Sequence, residues 1–441
     1  MYYRRSPKEN QMSTTPQRRR HGVLITAAVA LTLAACSAGA GSGDDSDGGD
    51  GGTTAVTVWH GFTEADGDVV AQLAEDFNAS QDDYEVTIEV NPWNVITDKL
   101  LPAISAGNGP DVVVQPADAG EGYVNQGVFV PMDDFYADPE NETDTYYPHV
   151  VDYGTFDGTH YGVPMAYGPF SVWYNTEMFA AAGITQENLP TTWEEWIAVA
   201  EQLTVDENGD GTPEIYGLAL ADADASFLPS FIQAGGGSVY TDGEVTLDTP
   251  QNVETMQWWQ DAYEGGWGPT NVDLPEAVDL FKAGKAAMTV IGPWIITGAE
   301  SVGLDIDVFE MPAGPDGIVT QAAANYWWLT SQADEGATAG AEAFLRYYNS
   351  HDSQVLWAEQ SFYPPNRTDV TADEIADTPF VGTMIAHTEN AYIRLYGLPG
   401  GLTDVNAELS TLNTTVSQGG DLASATTETA AAITEILSRF E

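Results

Sequence analysis

Apolar and polar residues alternate along some segments of this chain, as in strands, and recur at the spacing of one helix face along others. The order of these segments predicts the secondary structure elements. Ala55–Trp59, Tyr84–Val90 and Asp111–Val114 have the apolar or alternating pattern of strands. Between them, Asp68–Asn78 and Val95–Ser105 repeat apolar residues at the spacing of one helix face. Strands that alternate with helices predict a mostly parallel sheet with helices on both faces.

The same alternation starts again after a stretch rich in proline and glycine, Tyr161–Pro169. A strand is predicted at Phe170–Tyr174, helices at Thr192–Leu203 and Pro250–Gly265, and a closing helix at Leu422–Phe440. Two such starts in one chain predict an α/β protein of two lobes, each a mostly parallel sheet flanked by helices.

The N-terminal residues depart from this alternation. Three arginines, Arg18–Arg20, precede the mostly apolar run Val23–Ala35, which is too short to span a bilayer because a spanning helix needs ~20 apolar residues. A basic segment, a short apolar run and a small-residue cleavage site predict a secretory signal peptide. Leu33-Ala34-Ala35-Cys36 resembles the lipobox of bacterial lipoproteins, which implies that Cys36 is acylated and becomes the new N-terminus.

A tether is predicted directly after Cys36. Ser37–Thr54 contains only Ser, Ala, Gly, Asp and Thr, a composition that cannot form a packed core. We therefore expect a lipoprotein signal peptide at 1–35 and a tether at 36–54, with a root-mean-square reach of roughly 23 Å. The protein would lie at the extracellular face of the cell membrane, held there by its lipid.

The charge is strongly acidic, with 13 basic and 67 acidic residues and a net charge of −54. Six of the bases and one acid precede Cys36, which leaves seven bases against 66 acids, a net charge of −59. Such a field repels nucleic acid and anionic lipid surfaces, so neither is expected as a partner. It indicates either a halophilic source, where salt screens the repulsion, or an ordinary acidic secreted protein.

The composition nevertheless predicts a packed globular protein. Hydrophobic residues make up 43% of the chain and include twelve Trp, so a sizeable core can form. With one cysteine in the sequence, that core forms without internal disulfides.

Eight short stretches then occur in an order that resembles a known family. They are Val56–Phe62, Phe77–Ala79, Lys99–Asp111, Trp173–Phe179, Thr192–Trp196, Phe281–Met288, Gly292–Trp294 and Gln360–Pro365. In this order, behind a lipobox, they resemble the extracellular solute-binding proteins of ABC importers, family 1. The maltose- and maltodextrin-binding and the glycerol-phosphate-binding types are the most similar.

The resemblance implies a two-lobed fold of the periplasmic-binding-protein type with a ligand cleft between the lobes. The first lobe would combine residues 55–166 with 312–358, and the second lobe residues 167–311 with 359–441. It implies a monomer that needs no cofactor, captures a small carbohydrate by lobe closure and delivers it to the permease subunits of an ABC transporter.

Two alternatives to a neutral sugar ligand stay open at this point. The first is glycerol-3-phosphate or a glycerophosphodiester, bound by a protein of the same family. The second belongs to a different class, a secreted carbohydrate-active hydrolase, because paired carboxylates and aromatic side chains serve such enzymes too. Neither a Gly-x-Ser-x-Gly nor a His-Glu-x-x-His motif occurs in the sequence, so a binding protein rather than an enzyme is expected.

Three candidate ligand contacts come from strand ends and from the resemblance. Trp294, in Gly-Pro-Trp, resembles the position at which an indole packs on a sugar ring in this family. Asp118 and Glu64 each follow a predicted strand, and open α/β sheets bind ligands at the carboxyl ends of their strands. The alternatives are a core tryptophan and two solvated surface acids.

Three more candidates come from the second half of the family pattern. Tyr167 lies in the first crossing between lobes and either reaches the cleft or packs in the hinge. Asn325 and Tyr326 lie where relatives carry a Gly-Gly pair, and Tyr326 is the candidate contact. Arg394 resembles a phosphate-contacting arginine, with an ion pair to one of many acids as the alternative.

A calcium loop is the last candidate site. The segment 206–214 places oxygen ligands at loop positions 1, 3, 5 and 9, namely Asp206, Asn208, Asp210 and Glu214, with a carbonyl from Thr212. Position 12, where calcium loops carry a bidentate glutamate, is Gly217. The segment is therefore either a structural Ca²⁺ site or a turn built on Asn-Gly and Asp-Gly.

Overall fold

The computed structural model describes residues 52–378 and 380–440. The predicted signal peptide, Cys36 and most of the tether therefore lie outside the described residues. The chain beyond residue 50 forms one compact unit. The helices of this described part include none that is both long and apolar enough to cross a membrane.

The described elements alternate as the sequence pattern predicts. The strands are β1 (Thr54–His60), β2 (Tyr84–Val90), β3 (Val112–Pro116), β4 (Thr155–Phe156), β5 (Thr159–His160), β6 (Gly162–Pro169), β7 (Ser171–Asn175), β8 (Tyr240–Thr241), β9 (Glu244–Val245), β10 (Met288–Ile291), β11 (Ile306–Phe309), β12 (Thr320–Leu329) and β13 (Ala391–Tyr392). The helices are α1 (Ala65–Ser80), α2 (Trp93–Ala106), α3 (Ala117–Asn125), α4 (Asp133–Ala137), α5 (Pro148–Asp152), α6 (Thr176–Ala181), α7 (Trp193–Leu203), α8 (Leu228–Ala234), α9 (Pro250–Tyr263), α10 (Leu274–Lys282), α11 (Ile295–Val302), α12 (Glu335–Tyr348), α13 (His351–Ser361), α14 (Val381–His387), α15 (Leu402–Ser417) and α16 (Leu422–Leu437).

The first sheet has the order β13-β12-β3-β1-β2, with β6 also paired to β12. β1 runs parallel to β2 and β3, and β12 runs antiparallel to β3 and β6. All three valines of β3, Val112–Val114, are fully buried. A strand covered by helices on both faces needs such a continuous apolar run, so the predicted parallel core of this sheet is confirmed.

The second sheet has the order β10-β7-β11, and both pairs are antiparallel. Single parallel bridges, Tyr216 to Ala286 and Ala219 to Thr289, add the segment between α7 and α8. The predicted α/β class holds, but the mostly parallel pairing expected here is replaced by a mixed one. The reason is that β7 follows β6 directly. The direction of β7 is therefore set by the crossing between the sheets, and not by a helical connection of the kind that joins parallel strands.

Three hydrophobic cores of the described residues lie against these sheets. Two pack on the first sheet, one with Val56, Trp327 and Phe344 and the other with Val113 and Trp328, and the third packs on the second sheet and includes Trp173 and Trp259. The crossing from β6 to β7 falls at Phe170, because β6 stays paired with β12 as far as Pro169. β13 also joins the first sheet, although residues 359–441 were assigned to the second lobe, and the exact lobe boundaries stay a prediction.

Candidate ligand-binding cleft

Two adjoining cavities open at the carboxyl ends of β1 and β3. The first, here the aromatic cavity, has a volume of about 310 Å³ and is lined by Glu64, Asp66, Trp93, Trp294, Asn325 and Tyr363, among others. The second, here the polar cavity, has a volume of about 640 Å³ and is lined by Asp98, Gln115, Asp118, Arg394, Asp404 and Asn406, among others. Both include Pro116, the last residue of β3, so they adjoin at the end of that strand, and together they are called the cleft below.

The Trp294 indole is held in the wall of the aromatic cavity by neighbouring rings. It stacks on Tyr363 with 6.0 Å between ring centroids, and it meets Phe170 edge-on at 5.3 Å. A side chain on Gly292 would place its Cβ 2.0 Å from this indole, so the glycine of Gly-Pro-Trp is required by the ring itself. The half-buried Trp294 therefore presents a fixed aromatic surface to the cavity.

A second tryptophan, Trp93, lines the same cavity and was not predicted. It begins α2, and its ring meets Phe62 edge-on with 5.0 Å between centroids. A Cβ on Gly61 would lie 2.4 Å from this ring, so the residue after β1 must be small. The sequence did contain a signal for it, since Trp93 is an aromatic residue that directly follows Pro92, just beyond the end of a predicted strand.

Two acids and one amide line the aromatic cavity. Glu64, a predicted contact, is exposed there. Asp66 was missed, and it is only 6% exposed. One Asp66 oxygen, Oδ1, accepts the backbone N–H groups of Glu64 (3.2 Å) and Gly67 (2.8 Å). Burial, reinforced by the charge of Glu64, raises the pKa of Asp66 to about 6.

The Asn325 amide completes this wall. It belongs to β12 and is 8% exposed, and its side chain makes no hydrogen bond to any described residue. Its amide is therefore available to a ligand in the aromatic cavity.

Asp118 and Arg394, both predicted contacts, meet in the polar cavity. Arg394 Nη1 donates to the Ala225 carbonyl at 3.1 Å and to Asn406 Oδ1 at 3.0 Å, so neutral oxygens hold the guanidinium. Burial raises the pKa of Asp118, and the Arg394 charge opposes that rise without cancelling it. The ion-pair alternative for Arg394 is not what the described contacts show, since its partners carry no charge.

Tyr326, a predicted contact, lines neither cavity. It is fully buried, and its hydroxyl donates to the Val150 carbonyl at 2.5 Å. Successive residues of a strand point to opposite faces, so it is the preceding residue, Asn325, that lines the cavity.

Tyr167 is packed within β6, close to the crossing between the two sheets. It is 3% exposed, and its hydroxyl donates to the Ala391 carbonyl at 3.1 Å. Its ring packs against His149 and Tyr153, and it lines neither cavity. A direct contact of Tyr167 with the ligand stays a prediction.

The predicted calcium loop forms an exposed turn in which side-chain oxygens accept backbone N–H groups. Asp206 Oδ1 accepts from Gly209 at 2.7 Å, and Asp210 Oδ1 accepts from Thr212 at 2.9 Å. Glu214 Oε1 accepts from the Asn208 amide at 2.7 Å. Within the described residues, no group of three or more His, Cys, Asp or Glu side chains is placed to hold a metal ion.

The fold and the cleft together define a class. The chain has two sheets that are flanked by helices and packed on separate cores. Aromatic and polar side chains form a cleft at the ends of the strands. This is the architecture of proteins that bind a small solute between two lobes. Residues 72–383, more than half of the chain, match the family described as bacterial extracellular solute-binding protein. The chain belongs to this family, which confirms the resemblance stated from the sequence.

Two relatives have names that correspond to the two types that the sequence suggested. The chain is 27% identical to a maltotriose-binding protein of Pyrococcus abyssi over 59% of this chain and 54% of that protein. It is 24% identical to the sn-glycerol-3-phosphate-binding periplasmic protein UgpB of Brucella melitensis over 71% of this chain and 74% of that protein.

Solved structures show the same fold. The GacH receptor of Streptomyces glaucescens, solved unliganded and with acarbose, aligns with a TM-score of 0.76 at 21% identity, over 88% of this chain and 100% of that one. The maltose/maltodextrin-binding domain MalE of Bdellovibrio bacteriovorus, bound to maltotriose, aligns with a TM-score of 0.75 at 22% identity, over 87% and 100%. At these identities the likeness establishes the two-domain fold and not the ligand.

Proposed function

We propose that this protein is a lipid-anchored solute-binding protein of an ABC importer that captures a neutral carbohydrate. The ligand, a mono- or oligosaccharide, would bind in the cleft, the lobes would close around it, and the closed form would deliver it to the permease. The observation that carries the proposal is the aromatic cavity, in which Trp294 and Trp93 line one space with Glu64, Asp66 and Asn325.

This combination of side chains suits a sugar. The C–H faces of a sugar ring are apolar and are buried by an aromatic ring, while carboxylates and amides accept or donate hydrogen bonds at its hydroxyls. Trp294 is prearranged by Tyr363 and Phe170, so little conformational entropy is lost when a sugar packs on it.

The charges of the cleft disfavour the glycerol-phosphate alternative. The residues that line the two cavities include five acids and one base: Glu64, Asp66, Asp98, Asp118, Asp404 and Arg394. A phosphate dianion needs several donors or positive charges, and here it would lie among carboxylates. A neutral polyol avoids this repulsion, because its hydroxyls donate to the same carboxylates.

Binding without turnover is the function we propose over a hydrolase. The family and the solved neighbours are substrate-binding proteins, which supports the choice. Prolonged incubation with maltotriose, followed by chromatography of the products, tests it, and release of shorter sugars would favour the hydrolase.

The lipid anchor is the part of the proposal that rests on the leader alone. Acylation of Cys36 would hold the protein at the extracellular face of the cell membrane, within reach of the permease. A Cys36→Ala variant should appear in the culture medium instead of the membrane fraction, and an unchanged distribution would contradict the anchor.

The experiment that tests sugar capture removes the Trp294 ring. Trp294→Ala should weaken the binding of the sugars that the wild-type protein binds by at least about 30-fold, because a buried aromatic anchor carries much of the binding energy. Titration calorimetry measures the change. The matched control is Trp258→Ala, since Trp258 is half-buried on α9 and lines neither cavity of the cleft. Equal affinity of Trp294→Ala and wild type would contradict the proposed stacking.

A further inference from the structure

One exposed aromatic side chain lies in the wall of the polar cavity. Among the described residues, three large apolar side chains are exposed, Val90, Val302 and Phe440, and Phe440 is the aromatic one, at 41% exposure. Phe440 follows α16 and lines the polar cavity together with the half-buried Leu101 and Leu402. A ring that is in contact with water inside a ligand cleft offers apolar surface that a ligand can cover.

The loop before α15 holds this ring in place. A Cβ on Gly400 would collide with the Phe440 ring, and one on Gly401 would lie 2.9 Å from it. Gly401 has a φ of +74°, which favours glycine by itself, whereas Gly400 does not adopt a positive φ. The missing side chain at Gly400 is therefore explained by the close approach of the ring and not by the backbone.

The helix α2 shows how far the cleft extends. Its first residue, Trp93, lines the aromatic cavity, whereas Thr97 and Leu101 line the polar cavity. These three residues are four positions apart, so they lie on one face of the helix and cover roughly 12 Å of its axis. The two cavities therefore follow one another along a wall that is longer than one sugar ring.

The two cavities have separate aromatic surfaces. Trp294 and Trp93 line the aromatic cavity and not the polar one, and Phe440 lines the polar cavity and not the aromatic one. One sugar ring covers one such surface with its C–H face, so covering the surfaces of both cavities at once takes a ligand of at least two rings. A monosaccharide would leave either Trp294 or Phe440 in contact with water.

We propose that Phe440 packs on one ring of an oligosaccharide while Trp294 packs on another, and that Phe440 thereby determines the length of the sugar that the protein selects. This inference rests on the proposed function and narrows its ligand from a mono- or oligosaccharide to an oligosaccharide. The free energy gained by covering Phe440 is available only to a sugar that reaches the polar cavity. Affinity therefore rises with sugar length, and Phe440 is the residue responsible for the rise.

Titration calorimetry with glucose, maltose, trehalose and maltotriose tests the role of this ring. For the wild type, we expect the longest sugar that binds to bind at least about 10-fold more tightly than glucose. Phe440→Ala should weaken the binding of that longest sugar about 10-fold and leave the affinity for glucose unchanged, so that the preference for length is lost. Trp294→Ala, in contrast, should weaken the binding of every sugar that the wild type binds.

Three controls separate the ring from other effects of the substitution. Phe440→Tyr keeps an aromatic ring and should bind as the wild type does. Val302→Ala removes apolar surface of a similar kind, since Val302 is 57% exposed on α11 and lines neither cavity, and it should also bind as the wild type does. Phe440→Ala should keep the wild-type melting temperature because the ring is exposed, so a loss of affinity reports the contact and not the fold.

The results that overturn this inference differ from those that overturn the proposed function. If glucose binds as tightly as the longer sugars, or if Phe440→Ala binds every sugar with wild-type affinity, this inference is wrong and the proposed function stays intact. If the wild type binds none of the four sugars, the proposed function fails, and this inference fails with it.

Discussion

At the scale of single residues, Asp66 joins a structural role to a place in the cleft. Its carboxylate accepts the backbone N–H groups of Glu64 and Gly67 at the start of α1, and its side chain lines the aromatic cavity. Burial raises its pKa from 3.8 to about 6, so between these two pH values the folded protein holds a proton that the unfolded chain releases. The contribution of Asp66 to the free energy of unfolding therefore falls as pH rises from about 4 to about 6, and stays low above that.

Asp66→Asn should remove this dependence, since an amide stays neutral and its oxygen still accepts the Glu64 and Gly67 N–H groups. The variant's free energy of unfolding minus that of the wild type should be larger at pH 7.5 than at pH 3.8. The increase should be up to about 2–3 kcal/mol, the equivalent of a pKa shift of about two units. Urea unfolding at both pH values measures the difference. Asp68→Asn, an exposed acid in the same helical turn, is the control for losing a charge there. Parallel stability curves for Asp66→Asn and wild type would contradict the account.

The sequence predicted residues of the cleft wall where they come directly after a predicted strand or lie within a motif of the family. Trp294, Glu64, Asp118 and Arg394 all line one of the two cavities. Tyr326 lies on the opposite face of β12 from Asn325, because a shift of one residue along a strand reverses the face, and motif spacing does not fix that register.

The residues that were missed depend on contacts between distant segments. Trp93 lines the aromatic cavity because Phe62 and Gly61 leave room for its ring. Gln115 lines the polar cavity, and its backbone carbonyl accepts from the Trp328 indole, more than two hundred positions away. Such contacts appear only when the chain is folded, so no local pattern around either residue indicates them.

At the scale of elements, the alternation of strands and helices was predictable, but strand direction in the second sheet was not. Val112–Val114 had to be a strand buried on both faces because all three residues are apolar. Every residue of β7 is buried as well, yet β7 pairs antiparallel with β10 and β11. Apolar periodicity predicts burial, whereas direction depends on where the chain crosses between sheets.

The loop 206–214 is an element for which the sequence left two alternatives, and calcium binding there stays a prediction. If Asp206, Asp210 and Glu214 coordinate Ca²⁺, EDTA should lower the melting temperature and Ca²⁺ in excess over Mg²⁺ should restore it. Differential scanning fluorimetry at low salt measures this, with Asp210→Asn as a variant that should lose the response. A melting temperature that ignores EDTA would establish the turn.

At the scale of the whole molecule, charge should govern stability. Seven bases face 66 acids after Cys36, and repulsion among them acts over ~30 Å at 0.01 M salt but over ~3 Å at 1 M. The melting temperature of the mature domain should therefore rise steadily from low to molar NaCl. A flat or falling curve would contradict the halophilic interpretation and favour an ordinary acidic secreted protein.

The same charge distribution bears on ligand choice. Arg394 is the one base that lines the described cleft, and five acids line it as well. Both the net field and the local one therefore disfavour an anionic ligand, while the Trp294 and Trp93 rings favour a sugar.

Titration calorimetry of the wild-type protein with maltose, maltotriose, trehalose and glycerol-3-phosphate tests the central claim most directly. We expect at least one of the sugars to bind and glycerol-3-phosphate to give no measurable heat. Tight binding of glycerol-3-phosphate, with no binding of the three sugars, would contradict the account and make Arg394 the central residue of the cleft.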